Sequence, residues 1–388
     1  MSWTDSLQLD WEACINLILQ TMQALQLGLL QLLGWLHLVP TIDGQPAWPF
    51  ALRLSGEVML IDRNVVRALL AALAWQGAAL LLLALAWRWR RGRWPLLGVA
   101  VALGWFAPWP DAALLTTAAT PTSFQTSPAP FSATSIVRGE QVYARHCLAC
   151  HGADGRGNTP LALSLPIAPP NLSSGLLWRR FDGDLYWSLR HGKGSMPGYA
   201  ERLSATERWD LIDFMKANAA GVAARETGTW PRPVALPDLA LDCRRAGVTH
   251  ARQWQGQRIR LVVAGASAPA EDPRLQSVLL GSDAGAPRSA VGTIDCASHD
   301  ASALRAIAIL TGLTVSQLPG TELIADRDGW LRARSSDGAW SQSDMLCRSP
   351  SAGAAAKPAS AEAAGGIDQL IAAMDAEPVR FIKGGFVH

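Results

Sequence analysis

The stretch Cys147-Leu148-Ala149-Cys150-His151 decides how the rest of this chain is interpreted. Two cysteines three positions apart, with a histidine directly after the second, have the spacing of a covalent c-type haem attachment site. Each thiol adds to one vinyl group of the porphyrin, and one helical turn brings the adjacent imidazole to the iron. A zinc site needs a second pair of ligands close by, and a redox dithiol does not need the histidine. The pattern therefore predicts Cys147 and Cys150 as the tethers of one covalent haem and His151 as an iron ligand.

Two further motifs follow the histidine. A glycine-rich loop leads to Ala168-Pro169-Pro170-Asn171-Leu172, and then to His191-Gly192-Lys193-Gly194-Ser195-Met196-Pro197. With these motifs, residues 135–220 resemble the single-haem c-type cytochromes, especially the small membrane-attached kind with an HG…MP loop. The resemblance implies an all-α cytochrome c domain, which we place at residues 136–222.

The resemblance implies one ligand on each side of the iron, His151 as the proximal and Met196 as the distal ligand. It also implies that the carbonyl oxygen of Pro170 accepts a hydrogen bond from the His151 ring and so orients the imidazole. Thioether sulfur is a soft donor, and His/Met ligation fills both axial positions, so such an iron carries electrons rather than binding oxygen. Two alternatives stay open: Met196 as a core residue, and His191 as the sixth ligand or as a helix-end histidine. Candidate partners of the haem propionates, or else solvated side chains, are Arg179, Arg180 and Trp187.

A second helix of this domain is predicted downstream of the methionine. Ser204-Ala205-Thr206-Glu207 has the spacing of a capping box, and Trp209 and Phe214 then follow at helical spacing up to about residue 218. In the cytochromes that this region resembles, the last helix crosses the haem-bearing first helix, here about 136–149. We therefore expect both aromatic side chains to pack in the core.

Length and composition limit the remaining possibilities. The chain has 388 residues, which predicts two or three structural units, and a net charge of +2, which does not suggest a nucleic-acid partner. It contains 17 tryptophans, several of which flank apolar runs as interfacial anchors do. Of its six cysteines, two belong to the haem motif. One disulfide among Cys243, Cys296 and Cys347 is compatible with an oxidising compartment.

The N-terminal part predicts membrane-spanning helices. Residues 68–87 form an apolar run long enough to cross the hydrocarbon core, and a second apolar run covers about 96–115. Four arginines lie between the two runs, at positions 88–93. By the positive-inside rule this loop is cytoplasmic. The soluble part after about residue 116 would then face the periplasm from a bacterial inner membrane, the side on which c-type cytochromes receive their haem.

The first segment, residues 11–39, allows two interpretations. It is mostly apolar and helical in composition, but it carries Asn16 and several glutamines. One interpretation is a third spanning helix whose amide stripe faces its neighbours, and the other is an amphipathic helix in the membrane interface. No Lys or Arg precedes Arg53, so a signal peptide with a basic start is not predicted. Residues 1–118 are therefore predicted as a membrane region with two or three spans.

Two features flank this membrane region. Residues 119–135 are rich in Thr, Ser and Pro and predict an extended linker, with Phe124 and Phe131 packing on the following domain. Residues 35–130 weakly resemble bacterial proteins that fuse part of a copper-resistance D type module to a cytochrome c. Because the segment has no cluster of His, Met or Cys, we do not infer copper transport.

The C-terminal part predicts an α/β domain at residues 234–347. Apolar strands, a helix near 302–313 and a hairpin turning at Asp328-Gly329 resemble the C-terminal part of thioredoxin-like folds. After the central strand, where a redox thioredoxin carries CxxC, this chain has Gly265-Ala266-Ser267-Ala268-Pro269, so dithiol exchange is not predicted. Cys296 and His299 either hold a soft metal or belong to a disulfide and to scattered structural residues. Residues 348–388 predict a low-complexity linker, a last helix and a basic tail.

The predicted protein is thus multidomain, with N-terminal transmembrane α-helices, an all-α cytochrome c domain and a C-terminal α/β thioredoxin-like domain. Its predicted function is single-electron transfer with redox protein partners in or at the membrane, with no small-molecule substrate. One alternative is an electron-accepting subunit of a dehydrogenase complex, although no flavin, nicotinamide or catalytic-base motif occurs. The other is a copper-handling or assembly protein.

Overall fold

The computed structural model describes residues 11–54, 63–89, 92–109, 111, 116–244, 247–265, 272–281, 294–347, 366–382 and 385–387. The helices are α1 (Trp11–Trp35), α2 (Arg63–Arg88), α3 (Arg93–Trp105), α4 (Ala133–His146), α5 (Leu148–His151), α6 (Pro160–Leu163), α7 (Asp182–His191), α8 (Ala205–Thr227), α9 (Ala301–Thr311) and α10 (Gly366–Ala376). The strands are β1 (Thr41–Ile42), β2 (Gln45–Pro46), β3 (Leu52–Leu54), β4 (Thr116–Ala118), β5 (Val234–Ala235), β6 (Asp242–Cys243), β7 (Arg258–Val263), β8 (Leu275–Leu280), β9 (Cys296–Ser298), β10 (Glu322–Ala325), β11 (Trp330–Ser335), β12 (Arg380–Ile382) and β13 (Gly385–Val387).

Helices α2 and α3 pack side by side through small residues. Ala72, Ala79 and Ala86, seven positions apart on α2, are almost fully buried, whereas the leucines on its other faces are exposed. Small residues let two helix backbones approach closely, as in membrane helix pairs. In the described chain, two helical stretches are long and apolar enough to cross a bilayer, Leu17–Trp35 and Arg67–Arg88.

The second apolar run, predicted at 96–115, is helical only as far as Trp105. Pro108 follows closely, and proline disfavours helical conformation in the residue before it. The side-chain amide of Gln76 donates to the carbonyl oxygen of Gly104 over 3.2 Å, so α3 ends beside the middle of α2. A helix of 13 residues is about 20 Å long, against about 30 Å for a hydrocarbon core. The prediction of one continuous spanning helix here was wrong for the described residues, and 112–115 lie outside them.

The central helical unit, residues 133–227, is built on the crossing of α4 and α8. The capping box predicted at Ser204 and Glu207 is confirmed at the start of α8. At the crossing, a Cβ atom on Gly139 would lie 2.0 Å from the carbonyl oxygen of Asp210, so only glycine fits there. Trp209 and Phe214 are both buried in the core, as predicted.

The C-terminal unit is a mixed α/β structure around a seven-stranded sheet with the order β5-β11-β10-β7-β8-β9-β6. Strands β7, β8 and β9 are parallel, and β10 and β11 form the antiparallel hairpin that Asp328-Gly329 predicted. Helix α9 covers one face of this sheet and α10 the other. Of the strand predicted at 291–296, the structure shows only its end, because β9 begins at Cys296. Residues 291–293 lie outside the described residues, and so do 266–269 of the loop that replaces CxxC.

The central and C-terminal units share one hydrophobic core, which contains Leu211 of α8 as well as Leu261 of β7. A Cβ atom on Gly221 of α8 would lie 1.8 Å from the carbonyl oxygen of Ile309 of α9, so the two helix backbones touch. Trp230, in the segment predicted to link the domains, is 1% exposed, and its indole donates to the Leu310 carbonyl over 3.1 Å. The predicted boundary therefore passes through a single packed core.

The segment 119–135, predicted as an extended linker, packs against the central unit. Thr122 and Ser123 are fully buried, and the Thr122 hydroxyl donates to the Gly183 carbonyl over 2.5 Å. The ring of Phe124 lies 5.6 Å from that of Phe181, and Phe131 packs on the main core. The Thr and Ser side chains that suggested a solvated tether instead satisfy buried hydrogen bonds.

The N-terminal loop, residues 36–54, docks on the same unit through charged side chains. The Asp43 carboxylate accepts hydrogen bonds from the Tyr186 hydroxyl at 2.6 Å and from Arg208 at 3.2 Å. Arg53 is 3% exposed, lies 3.7 Å above the Phe181 ring and is 3.5 Å from Asp184. The chain segments on both sides of the α2–α3 pair are therefore fixed to the central unit.

Candidate functional site

The five-residue motif forms a single turn at the end of α4. Cys147 ends α4, and its carbonyl oxygen accepts from the backbone N–H groups of Cys150 at 3.2 Å and of His151 at 2.9 Å. Both thiols are free and half-buried. The turn thus brings two thiols and one imidazole onto one helical turn, as the spacing of the motif predicts.

Burial controls the protonation of this turn. It raises the pKa of the Cys147 thiol to about 12, with a further contribution from neighbouring Cys150, so the thiol is neutral at pH 7. Burial also lowers the pKa of His151, which favours the neutral imidazole that binds a metal. The Nδ1 atom of His151 is buried and has no hydrogen-bond partner in the described chain.

The structure does not form the predicted hydrogen bond between the His151 ring and the carbonyl of Pro170. Pro170 is exposed, and the preceding residue packs elsewhere: a Cβ atom on Gly157 would lie 2.9 Å from the Pro169 carbonyl oxygen. Gly157 has a φ of +70°, which favours glycine, and its N–H donates to the His151 carbonyl over 2.9 Å. The Pro169 carbonyl therefore lies beside Gly157, which is itself hydrogen-bonded to the backbone of the turn.

A strip of exposed apolar side chains follows the turn. It comprises Leu148 (40% exposed), Leu161 (48%), Leu163 (75%) and Ile167 (60%). Helix α6 is tied to the turn because Thr159, which caps it, donates to the Ala149 carbonyl over 2.7 Å. Free thiols, a buried imidazole with an unused nitrogen, and an apolar strip beside them together fit a porphyrin, which needs tethers, a ligand and an apolar wall.

The methionine loop borders the same strip. Lys193 and Met196 pair through two backbone hydrogen bonds of 3.0 Å, and Met196 is half-buried against the main core. The Ile167 N–H donates to the Ser195 hydroxyl over 3.2 Å, which joins the loop to the strip. Gly192 has a φ of +81° and lies so close to the Met196 carbonyl that a Cβ atom would be 2.4 Å away. The HG…MP spacing therefore builds a tight loop whose glycine is sterically required.

Comparison with known proteins finds a similarity for this region. Residues 134–215 match the family model for cytochrome c oxidase, cbb3-type, subunit III. This match supports a c-type cytochrome domain. A solved structure from Kuenenia stuttgartiensis, the reducing HAO-like protein complex Kustc0457/Kustc0458, is 24% identical over 32% of this chain and 58% of that chain, with a TM-score of 0.20. No curated protein matches the chain.

His191, the alternative sixth ligand, lies on the surface of the cytochrome domain. It is exposed at the end of α7, and its ring stacks on Trp187 with 3.7 Å between ring centroids. Its Nδ1 atom lies 3.2 Å from the Trp187 carbonyl oxygen. This geometry is that of a helix-end histidine. Of the candidate propionate partners, Arg180 is half-buried, and the side chain of Arg179 lies outside the described structure.

Two tyrosines of the cytochrome domain brace the haem-motif turn and were missed in the sequence. The Tyr143 hydroxyl donates to the Gly152 carbonyl over 2.7 Å, and the Tyr199 hydroxyl donates to the His146 carbonyl over 3.1 Å. Tyr143 precedes Cys147 by four residues on α4, so it shares the helix face of the motif, and this spacing was an available signal. Tyr199 follows Met196 closely, but nothing in the sequence indicates its contact with His146.

Among the three cysteines after residue 240, Cys243 and Cys296 form a disulfide, and Cys347 is buried and is not disulfide-bonded. Of the two interpretations of Cys296, the disulfide is the one that the structure forms, so this sulfur is not a thiolate for a metal shared with His299. Within the described residues, no group of three or more His, Cys, Asp or Glu side chains is placed to hold a metal ion.

Proposed function

We propose that this chain is a membrane-anchored c-type cytochrome that transfers single electrons between redox protein partners in or at the membrane. Cys147 and Cys150 would tether one haem covalently, with His151 and Met196 as the axial ligands. The observation that carries this proposal is the single turn that presents two free thiols and a neutral imidazole beside an apolar strip and the methionine loop. The family match at residues 134–215 supports it independently.

The side chains of the cytochrome domain would hold the haem in position and would not themselves take part in a reaction. A haem with both axial positions filled supplies a reversible one-electron couple whose potential is raised by thioether ligation. Tyr143 and Tyr199 fix the backbone on both sides of the attachment turn, so the imidazole and both sulfurs keep their positions. Leu148, Leu161 and Ile167 are exposed apolar side chains that would cover one side of the bound haem and exclude water there. If His151 and Met196 both bind the iron, such a haem would leave no position on the iron for a small-molecule substrate.

The orientation of the chain in the membrane and the nature of its C-terminal unit are part of the same proposal. The arginine-rich loop before α3 would face the cytoplasm, and the haem and C-terminal units would face the periplasm from a bacterial inner membrane. The C-terminal mixed α/β unit would be a thioredoxin-like domain without dithiol chemistry. The shared core with α8 and α9 supports a structural role for this unit, holding the cytochrome domain.

The distal ligand is tested with Met196→Ala in the purified full chain, with His191→Ala as the matched control. We expect Met196→Ala to lose the sulfur-to-iron charge-transfer band and to lower the reduction potential, because the soft thioether stabilises the reduced iron. His191→Ala should keep both properties, since His191 stacks on Trp187 at the surface. An unchanged spectrum in Met196→Ala, or loss of the native ligation in His191→Ala, would contradict the assignment.

The covalent tether is tested by haem staining after denaturing electrophoresis. The double substitution Cys147→Ser and Cys150→Ser should abolish the stained band, because serine forms no thioether to a vinyl group. Cys347→Ala should keep it, since this thiol is buried in the C-terminal unit. A wild-type chain without covalent pigment would refute the electron-carrier function itself.

A further inference from the structure

Helix α1 has two faces whose polarity is the reverse of that of a water-soluble helix. Gln23 and Gln26 are only 8% and 7% exposed, and they lie on one face with buried Leu19 and Leu30. Another face of α1 exposes large apolar side chains: Ile18 (58%), Leu25 (69%), Leu29 (42%) and Leu32 (51%). Gln23 and Gln26 thus face protein and this group of apolar side chains faces outward, whereas Gln20 and Gln31 are exposed.

The amide face of α1 is held by the soluble part of the molecule. The Gln26 side-chain oxygen accepts from the Leu54 N–H over 2.9 Å. Four positions further along, Leu30 packs in one cluster with Trp48, Phe124 and Phe181. Phe181 directly precedes α7 of the cytochrome domain, so the C-terminal half of α1 contacts the unit that holds the proposed haem.

Strand β3, which the amide face contacts, shows the same reversal. Leu52 and Leu54 point outward and are 55% and 38% exposed, whereas Arg53 between them is 3% exposed. A strand with one face in water places its polar side chains outward. The surrounding surface is therefore arranged for an apolar medium.

This contact excludes a simple membrane crossing by α1, although its length and composition permit one. Leu30 and Gln26 lie near the middle of the apolar stretch Leu17–Trp35. If that stretch crossed the bilayer, the attached Arg53–Asp184 ion pair would lie at hydrocarbon depth, where charged groups are costly.

We propose that α1 lies along the bilayer surface, with its leucine face in the acyl region and its amide face against the protein. This proposal rests on the proposed function, because only a membrane-anchored chain brings α1 to a bilayer. Lipid is the occupant that the surroundings favour. No charged residue occurs between Glu12 and Asp43, so the face lacks the charged rim of a protein interface. The next helix along the chain, α2, also exposes its leucines.

The depths of three α1 side chains in the bilayer distinguish a helix that lies on the surface from one that spans the membrane. Ile18, Leu25 and Leu32 are seven residues apart on one face, and the first and last are about 21 Å apart along the helix axis. In a helix parallel to the surface, all three positions lie at the same shallow depth. In a spanning helix, their depths differ by about 20 Å.

The test places a nitroxide on each of Ile18→Cys, Leu25→Cys and Leu32→Cys in the full haem-loaded chain, reconstituted in phosphatidylcholine/phosphatidylglycerol nanodiscs. A Cys14→Ser background leaves no competing N-terminal thiol, and Cys347 is fully buried. Depth is measured from the accessibility of each label to oxygen and to a water-soluble nickel chelate. Labels at Leu73→Cys and Leu80→Cys on α2 show whether this helix is in the bilayer. A label at Lys193→Cys, on the methionine loop, gives the reference value for a side chain in water.

Equal, shallow depths at the three α1 positions are expected, with α2 labels that differ by about 10 Å. A spread of about 20 Å along α1 would show that it spans, and nickel accessibility equal to that at position 193 would show that its face is in water. Either result overturns the surface orientation and leaves the anchor intact. Water-accessible labels on α2 would instead refute the membrane anchoring of the proposed function, and with it this proposal.

Discussion

The cytochrome domain has two interfaces within its own chain, and they are built from different chemistry. Toward the C-terminal unit, helix backbones touch at Gly221 and Ile309, and apolar side chains of both units form one core. Toward the N-terminal loop, the charged side chains of Asp43 and Arg53 contact the domain beside Phe181, and Trp48 adds a small apolar cluster. The buried core of the first interface is apolar, whereas the second adds buried charges to a smaller apolar cluster.

The two interfaces should therefore differ in how they respond to changes in protonation and in whether they can open locally. Burial of apolar surface is non-directional and does not depend on protonation, so the C-terminal contact is expected to open only when the core itself unfolds. A charged contact depends on the ionisation of its members and on their geometry. The N-terminal loop should therefore detach locally while the cytochrome domain stays folded.

The largest expected effect comes from Gly221→Ala, which places a methyl group 1.8 Å from the Ile309 carbonyl oxygen. In a helix this change normally stabilises, because alanine has the higher helix propensity. Here α8 and α9 must separate, and we expect a loss of at least about 4 kcal/mol in the free energy of unfolding. Gly77→Ala on α2, where a Cβ atom meets nothing within 4 Å, is the control. A Gly221→Ala protein with unchanged thermal unfolding would break the picture of one shared core.

A smaller effect is expected from Asp213→Asn, which changes a buried side chain in the core of the cytochrome domain. Burial raises the pKa of Asp213 to about 7, opposed by the hydrogen bond that the Ser135 hydroxyl donates over 2.6 Å. The folded state therefore keeps the proton that the unfolded state releases near pH 4, so stability should fall as the pH rises from about 4 to 7.

Asp213→Asn should remove this slope and raise the free energy of unfolding by roughly 2–4 kcal/mol at pH 8. Urea unfolding, followed by circular dichroism from pH 5 to pH 8.5, measures the change. Exposed Glu201, changed to Gln, serves as the control for the loss of a carboxylate. A wild-type protein whose stability does not vary over this range would show that Asp213 is not a titrating group of the core.

The smallest expected effect is at the N-terminal interface, with Asp43→Asn. Burial alone would raise the pKa of Asp43, but the hydrogen bonds from Tyr186 and Arg190 and the charge of Arg208 hold it below its ordinary value of 3.8. Its contribution is therefore complete above that pH and is lost as the pH falls through the lowered pKa, opposite to Asp213.

We expect Asp43→Asn to weaken docking of the 36–54 loop by about 1 kcal/mol at neutral pH. Amide hydrogen exchange measured in that loop should become faster, and thermal unfolding of the cytochrome domain should stay the same. Equal acceleration of exchange in α4 and α8 would mean that the loop is part of the folding core, and the contrast between the two interfaces would disappear.

Local features were predictable because nearby residues determine them. The haem-motif turn, the capping box at Ser204 and the hairpin at Asp328-Gly329 each depend on a few consecutive positions. The continuous second span was predicted wrongly because hydropathy outweighed the local effect of Pro108 on helix termination. The expected contact of Pro170 with His151 is of a different kind, since it depends on how two loops pack near Gly157 rather than on a few consecutive residues.

By itself, the sequence determined the attachment turn, the methionine loop and the alternation of helical and sheet regions, because spacing and periodicity act over a few residues. Only the tertiary structure decided that Cys243 pairs with Cys296 across a separation of 53 residues. It also decided that two predicted domains share a core, and that Gln23 and Gln26 of α1 face protein while Leu25 and Leu32 face outward. These outcomes depend on which surfaces meet, and contacts between distant residues leave no periodic trace along the chain.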